Sequence, residues 1–304
     1  MVIVLDSASL YYRAFHALPE SMTAPDGHPN NAIRGFLGTL TRLVRQHACG
    51  SVIAAWDEDW RPQWRVDLMP TYKLHRVAVD PTGDSQGDES EAAEPESLGP
   101  QAQAIADLMS AAGIPVLGAA GFEADDIAAT VAHQMPCIVV TGDRDLVQVV
   151  SDSVRVHLTV NGGMEKWPLL DPAAVTSRFG VRPDQYVDLA ALRGDPSDGL
   201  PGVAGIGPKT AVALLNEWEG LEQILDAARS EAGRPMTPRL AGLLLQSQDY
   251  LHRAVRVATA RVDAPISIRI TRASATSEAA DIAEAWGVSK QWRDVLSAID
   301  QVET

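Results

Sequence analysis

Asp6, Asp57 and Asp143 each stand at the end of a short apolar, β-branched run (2–5, 52–56 and 137–140), Asp143 after one Thr-Gly step. If those runs are neighbouring parallel strands, their C-terminal ends share one edge, and ligands bind in the crevice there. Three like charges gathered on that edge repel one another unless a cation offsets them. Hard oxygen ligands of this kind suit Mg2+ or Mn2+. An Asp in such a place also caps a following helix; that reading stays open for any one of the three and is much harder to hold for all. Further acids sit at helix starts or in loops: Glu123-Ala-Asp125-Asp126, Asp143-Arg-Asp145 and Asp195-Pro-Ser-Asp198. Acids in a first helical turn are ordinary, because they oppose the helix dipole. The whole set nevertheless exceeds what one ion can use. It suits two ions about 3.5–4 Å apart, the arrangement that clamps a phosphate for in-line displacement. The chemistry implied is hydrolysis of a phosphodiester.

A second constellation is Leu200-Pro-Gly202-Val-Ala-Gly205-Ile-Gly207-Pro-Lys209-Thr210-Ala211. Closely spaced glycines let backbone amides approach an anion, and a helix starting near Pro208 adds its positive end. Lys209 adds a formal charge, so the segment suits nucleic-acid phosphate held without regard to sequence. It is not a nucleotide P-loop, since the Walker spacing is absent and no buried strand precedes it. The plainer alternative is a Gly-rich turn between helices. A third feature is Tyr72-Lys73-Leu-His-Arg76, with Arg65 upstream and Arg13 after the first apolar run. Such cations usually face solvent, but beside a carboxylate crevice they can hold and polarise a phosphate. His16, His28 and His133 are isolated and read as structural or exposed.

The elements that must position these groups follow from periodicity. The runs 2–5, 52–56, 114–117 and 137–140 read as strands. Helical spacing marks 32–46, 101–112 and 124–134. This alternation predicts an α/β fold, a parallel sheet with helices on both faces. From about 170 the pattern changes to Gly/Pro-punctuated helices, predicted at 172–179, 184–193, 208–217, 219–228 and 237–247. The Val-rich stretch 254–270 is expected to return to the sheet edge, with a helix over 277–299. Domains are therefore expected at 1–170 and 171–304. With 304 residues and 46% hydrophobic residues, the chain can bury a sizeable core. No apolar run approaches a membrane span, and Asp6 breaks the opening run, so no signal peptide is expected. Two cysteines, Cys49 and Cys137, make no disulfide framework, and the protein is expected in the cytoplasm. A net charge of −15 argues against a generic polyanion binder, but seven of the acids lie in 77–100, and without them the balance is −8. That segment lacks periodicity and reads as a mobile solvated loop.

Taken in order, Asp6-Ser-Ala-Ser-Leu-Tyr-Tyr-Arg-Ala-Phe-His-Ala, Tyr72-Lys-Leu-His-Arg76, Gly121-Phe-Glu-Ala-Asp-Asp126, Thr141-Gly-Asp-Arg-Asp-Leu146 and Gly194-Asp-Pro-Ser-Asp-Gly-Leu-Pro-Gly202 with its continuation to Ala211 resemble the motifs of bacterial 5′-3′ exonucleases. The chain is similar, over roughly 1–270, to the 5′-nuclease domain of bacterial DNA polymerase I and its flap endonuclease relatives, as a stand-alone homologue. The resemblance implies a PIN-like (resolvase-like) core with a mobile acidic arch near 66–100. It also implies a helical module with a helix-three-turn-helix motif near 185–217. It assigns Asp6, Asp57, Glu123, Asp125 and Asp143 to a first metal cluster, and Asp145, Asp195 and Asp198 to a second, with Asp126 in the same acidic group. Lys73 and Arg76 match the basic residues over the scissile phosphate, and Arg13 a phosphate-binding arginine. Gly202, Gly205, Gly207, Lys209 and Thr210 match the duplex-binding turn, whose carbonyls hold K+ in this family.

Three departures stand out. Ser7 and Ala8 replace the usual Gly-Ser after the first Asp. Pro196 and Gly199 replace the usual Ser and Asn, and the missing Asn side chain is expected to loosen support for the adjacent carboxylates. The acidic 77–100 segment falls on the arch, where it would repel a threaded polyanion while leaving the cleavage chemistry intact. The function expected is a structure-specific 5′ nuclease of DNA replication and repair, acting as a 5′-3′ exonuclease and 5′-flap endonuclease with two or more Mg2+ or Mn2+ ions. Expected substrates are 5′ flaps, nicked or gapped duplex and free 5′ ends. The expected setting is a nucleoid-associated bacterial monomer, with a functional link to a polymerase and a ligase. The alternatives are a catalytically weak DNA-junction binder and a PIN-type ribonuclease.

Overall fold

The computed structural model describes residues 1–77, 95–230 and 233–302. Most of the acidic 77–100 segment, with the arch expected there, lies outside the described residues. Six strands form one sheet: β1 (Val2–Asp6), β2 (Val52–Ala55), β3 (Val116–Leu117), β4 (Cys137–Thr141), β5 (Val154–Leu158) and β6 (Leu169–Leu170). Their order is β3-β2-β1-β4-β5-β6. The first five are mutually parallel, and β6 pairs antiparallel with β5. Both faces are covered, which is why the strands read as unbroken apolar runs. Alternate residues serve opposite cores: Val2, Val4, Ile53 and Val139 face one, while Ile3, Leu5, Ala54 and Val140 face the other.

Thirteen α-helices occur among the described residues. Those of the first half are α1 (Ser7–Ala17), α2 (Asn31–His47), α3 (Gln63–Leu68), α4 (Leu98–Ala111) and α5 (Ala124–Gln134). The second half contributes α6 (Pro172–Phe179), α7 (Tyr186–Arg193), α8 (Pro208–Glu217), α9 (Leu221–Arg229), α10 (Pro238–Gln246) and α11 (Gln248–Ala258). They end with α12 (Ser277–Ala285) and α13 (Ser289–Val302). Among the described residues no helix is long and apolar enough to cross a membrane.

The first core runs without a break from the sheet and α5 into the helical module, through Leu189, Leu192, Leu214, Leu244 and Leu251. The second core lies under α2 and α4 and also takes in Ala283, Trp292, Val295 and Ile299. The last two helices thus pack on the sheet core, α13 on α2 and α12 on α4, rather than in a module running to residue 304. Two expectations are corrected here. The 277–299 helix is broken at Gly287, whose φ of 62° is left-handed. The 254–270 stretch is not a strand of the sheet. Its start completes α11, and the rest is an extended strap in which Ala264, Ile266 and Ile268 turn inward while their neighbours are exposed.

Candidate active site

Because β2, β1 and β4 are adjacent and parallel, Asp6, Asp57 and Asp143 emerge side by side at the C-terminal edge. The two readings of these residues prove compatible. Asp6 caps α1, accepting from Ser9 N (3.2 Å) and Thr141 Oγ1 (2.6 Å). Asp57 accepts from Ala124 N (2.7 Å), so it caps α5 rather than the helix that follows its own strand. Asp143 accepts from Asp145 N (2.8 Å). Each cap bond fixes a carboxylate on the edge and leaves acceptor capacity for a cation.

The electrostatics record how closely the acids gather. Burial pushes the Asp6 carboxyl up to about 7, with Asp57 and Asp143 raising it further against the hydrogen bond from Thr141. Burial, then Asp143 and Asp6, hold Asp125 well above the carboxylate range. Asp143 is raised by burial and then by Asp198 and Asp195, and Asp145 by burial and then by Asp143, Asp198 and Asp195. These groups therefore share one field, with the 195–198 turn facing the sheet edge. Asp198 lies against Asp145, and its Oδ1 is buried with no donor to it among the described residues. Glu123, Asp125, Asp145 and Asp198 line a cavity of about 10 Å³, enough for roughly one water-sized species. Among the described residues no three of these side chains already converge as metal ligands, since protein donors hold several of them.

Lys73 lies within the acid group rather than over it. It is 6% exposed, and its Nζ donates to Glu123 Oε2 at 2.6 Å. Tyr72, singled out by sequence only as part of the motif, donates its hydroxyl to both Glu123 oxygens at 3.0 Å. Burial pushes the Glu123 carboxyl up to about 7 against the pull of Lys73 and Arg65. Arg76 is exposed, and its Nη2 donates to Ser197 O on the acidic 195–198 turn (3.0 Å).

Four expected roles change. Asp126 belongs to a structural ion pair: its oxygens accept from Arg65 Nη1 and Nη2 (2.9 and 2.7 Å), Glu123 N (3.1 Å) and Arg261 N (2.8 Å). Arg65 is therefore buried and cannot reach a phosphate. Arg13 is held at the margin by the carbonyls of Val160 and Gly162, over the Trp167 ring. Gly202 is a packing glycine: its amide donates to Tyr250 Oη (2.8 Å), and a Cβ there would lie 2.5 Å from Gly194 N. The remaining turn residues stay available. Val203 and Ile206 are buried as anchors, leaving Gly205, Gly207 and Lys209 exposed and Thr210 half-buried at the start of α8.

Comparison with known proteins agrees with this geometry. Residues 1–180 match the 5′-3′ exonuclease N-terminal resolvase-like domain, and 181–281 the 5′-3′ exonuclease C-terminal SAM fold. A 5′-3′ exonuclease of Mycobacterium tuberculosis is 42% identical over 315 residues, covering 98% of both chains. DNA polymerase I of Mycobacterium bovis is 37% identical over 252 residues, 80% of this chain and 26% of that one. The bacteriophage T5 flap endonuclease, solved with DNA and metal ions, shares the fold with a TM-score of 0.63 at 20% identity over 99% of both chains. The chain belongs to the 5′-3′ exonuclease family. It has that family's resolvase-like core and helical SAM-fold domain.

Proposed function

We propose that this chain hydrolyses DNA phosphodiesters at free 5′ ends and at 5′-flap junctions, using two divalent cations, Mg2+ or Mn2+. Asp6, Asp57, Glu123, Asp125 and Asp143 would hold one, and Asp145, Asp195 and Asp198 the other. The observation that carries this reading is the gathering of these carboxylates on one sheet edge, in one field, with a single buried lysine among them. All are hard oxygen donors, and burial together with mutual repulsion raises the pKa values of Asp6, Asp125, Asp143 and Asp145, a cost that divalent cations would relieve. Bound there, such ions supply a water activated at neutral pH and stabilisation of the leaving oxygen.

The chain's own groups do the rest. Lys73, turned in among the acids, and Arg76, exposed at the rim, offset charge on the phosphate as it becomes more negative. Gly205, Gly207, Lys209 and Thr210 seat a duplex phosphate at the N-terminus of α8, and carbonyls of the same turn can hold K+. Seating the duplex there offsets the few kcal/mol needed to fray the terminal pairs. The enzyme acts as a monomer near the nucleoid, where polymerase and ligase use its products.

Cleavage of a 5′-flap DNA and its matched linear duplex, with Mg2+, Mn2+ or EDTA, tests the reading. Metal-dependent cuts near the flap junction and at 5′ ends are expected. Nibbling from duplex ends alone would restrict the activity to the exonuclease. Tight flap binding without cutting would overturn it in favour of a junction-binding protein.

A further inference from the structure

Gly199 closes the 195–198 turn in a left-handed conformation, φ 72°. A Cβ at that position would lie 2.1 Å from Thr71 O and 3.0 Å from Thr71 C, backbone atoms that cannot rotate aside. The close approach is sealed by three hydrogen bonds between 71–76 and 197–199. Thr71 Oγ1 donates to Gly199 O (3.0 Å), Lys73 N to Asp198 O (3.2 Å) and Arg76 Nη2 to Ser197 O (3.0 Å). On the other side Arg61 holds the same segment, with Nε donating to Tyr72 O (2.6 Å) and Nη2 to Pro70 O (3.0 Å). Between the two clamps Lys73 takes a left-handed backbone, φ 47°, which a non-glycine residue keeps only where its surroundings over-determine it. The consequence is local: Leu74 is 52% exposed, while Lys73 is turned inward onto Glu123.

We propose that Gly199 is a positioning residue for the cleavage step. Having no side chain, it lets 71–76 dock on the acidic turn, and that docking aims Lys73. The inference rests on Lys73 acting at the scissile phosphate. It also reverses the expectation that a missing side chain at 199 loosens the site: here the absence permits a tighter contact between the basic segment and Asp198.

Single-turnover cleavage of a 5′-tailed duplex with Mg2+ tests it, together with DNA affinity, in Gly199→Ala, Gly199→Asn, Thr71→Val, Lys73→Met and the double variants. Gly199→Ala and Gly199→Asn should lower the single-turnover rate by about tenfold to a hundredfold, the scale of a misplacement near 1 Å, with Kd for DNA within about twofold. Thr71→Val adds no bulk and loses one hydrogen bond, so about threefold is expected with folding retained. In the Lys73→Met background neither change should slow the rate further, because both act through Lys73. Rates that multiply independently in the double variants would overturn the proposal, as would wild-type rates in Gly199→Ala and Thr71→Val. If Gly199→Ala does not fold, the Thr71→Val cycle decides by the same criterion. A Lys73→Met enzyme as fast as wild type would instead remove the role of Lys73 on which the proposal stands.

Discussion

Asp125 and Asp126 are neighbours at the start of α5, and their surroundings are opposite. Asp126 points into the body, where Arg65 grips both its oxygens and the amides of Glu123 and Arg261 complete its bonding. Asp125 is turned about 100° away and meets the like charges of Asp143 and Asp6, partly offset by Lys73. A charge kept for folding comes with its own buried cation, since an unpaired one would cost several kcal/mol. Asp125 instead stands among like charges, the setting that the proposed cation site requires. Pairing, rather than burial or residue type, separates these two neighbours, while Glu123 beside them has Lys73 and Arg65 against it.

Exchanging one oxygen for nitrogen in each neighbour sharpens this contrast. Asp125→Asn should lower cleavage by about a thousandfold or more, by weakening a cation site. Its melting temperature without metal should hold or rise, because a like-charge repulsion is relieved. Asp126→Asn should do the reverse, losing about 3 kcal/mol of stability by stranding Arg65, with activity of the folded enzyme at low temperature reduced far less. Urea melts and single-turnover rates measured on both variants would break the comparison if the two profiles matched.

A smaller effect is expected with pH. Asp6 and Glu123 are both pushed up to about 7, from 3.8 and 4.5. The native state therefore keeps these protons to higher pH than the unfolded chain does. Their contribution is most favourable below about pH 4 and is lost as pH rises from about 4 to about 7. In chelator-treated protein, Asp6→Asn should flatten that part of the stability profile. Divalent cations should raise the melting temperature more at pH 8 than at pH 5, since the ligands must first be deprotonated. The smallest effect belongs to the open turn. Lys209→Ala should weaken duplex binding severalfold and lower the salt dependence by about one counterion, with the rate at saturation unchanged.

Much of this was legible in the sequence because local signals agreed. The continuous apolar runs 2–5 and 137–140 could only be strands covered on both faces. Asp171-Pro172 and Gly207-Pro208 marked the starts of α6 and α8 through cap chemistry. The carboxylate edge followed from where the strands end. What escaped depends on partners distant in the chain. Nothing near Arg65 signals an ion pair with a residue 61 positions away, and nothing near Gly202 signals Tyr250. The alternation over 254–270 does describe an extended strap with one face inward. Period two, however, does not say whether a neighbouring strand exists to complete a ladder. The docking of α12 and α13 on the core was hidden for the same reason: an amphipathic helix shows that it has a partner, not which one.

The strap has a mechanical meaning. Chain leaves the sheet after β6 to build helices α6 to α11, then returns through 259–276. There Ala264 N donates to Thr130 Oγ1, and Ser274 N to Ala112 O, before the chain ends on the far side of the core. The helical module is thus a span resting on two piers instead of an arm hung from one joint. Rocking about a single hinge is denied to it, and the interval between the Gly205 turn and the carboxylate edge becomes a built-in ruler. Under the proposed function, a duplex seated on that turn would be cut at a distance set by the fold, with no need to read a single base.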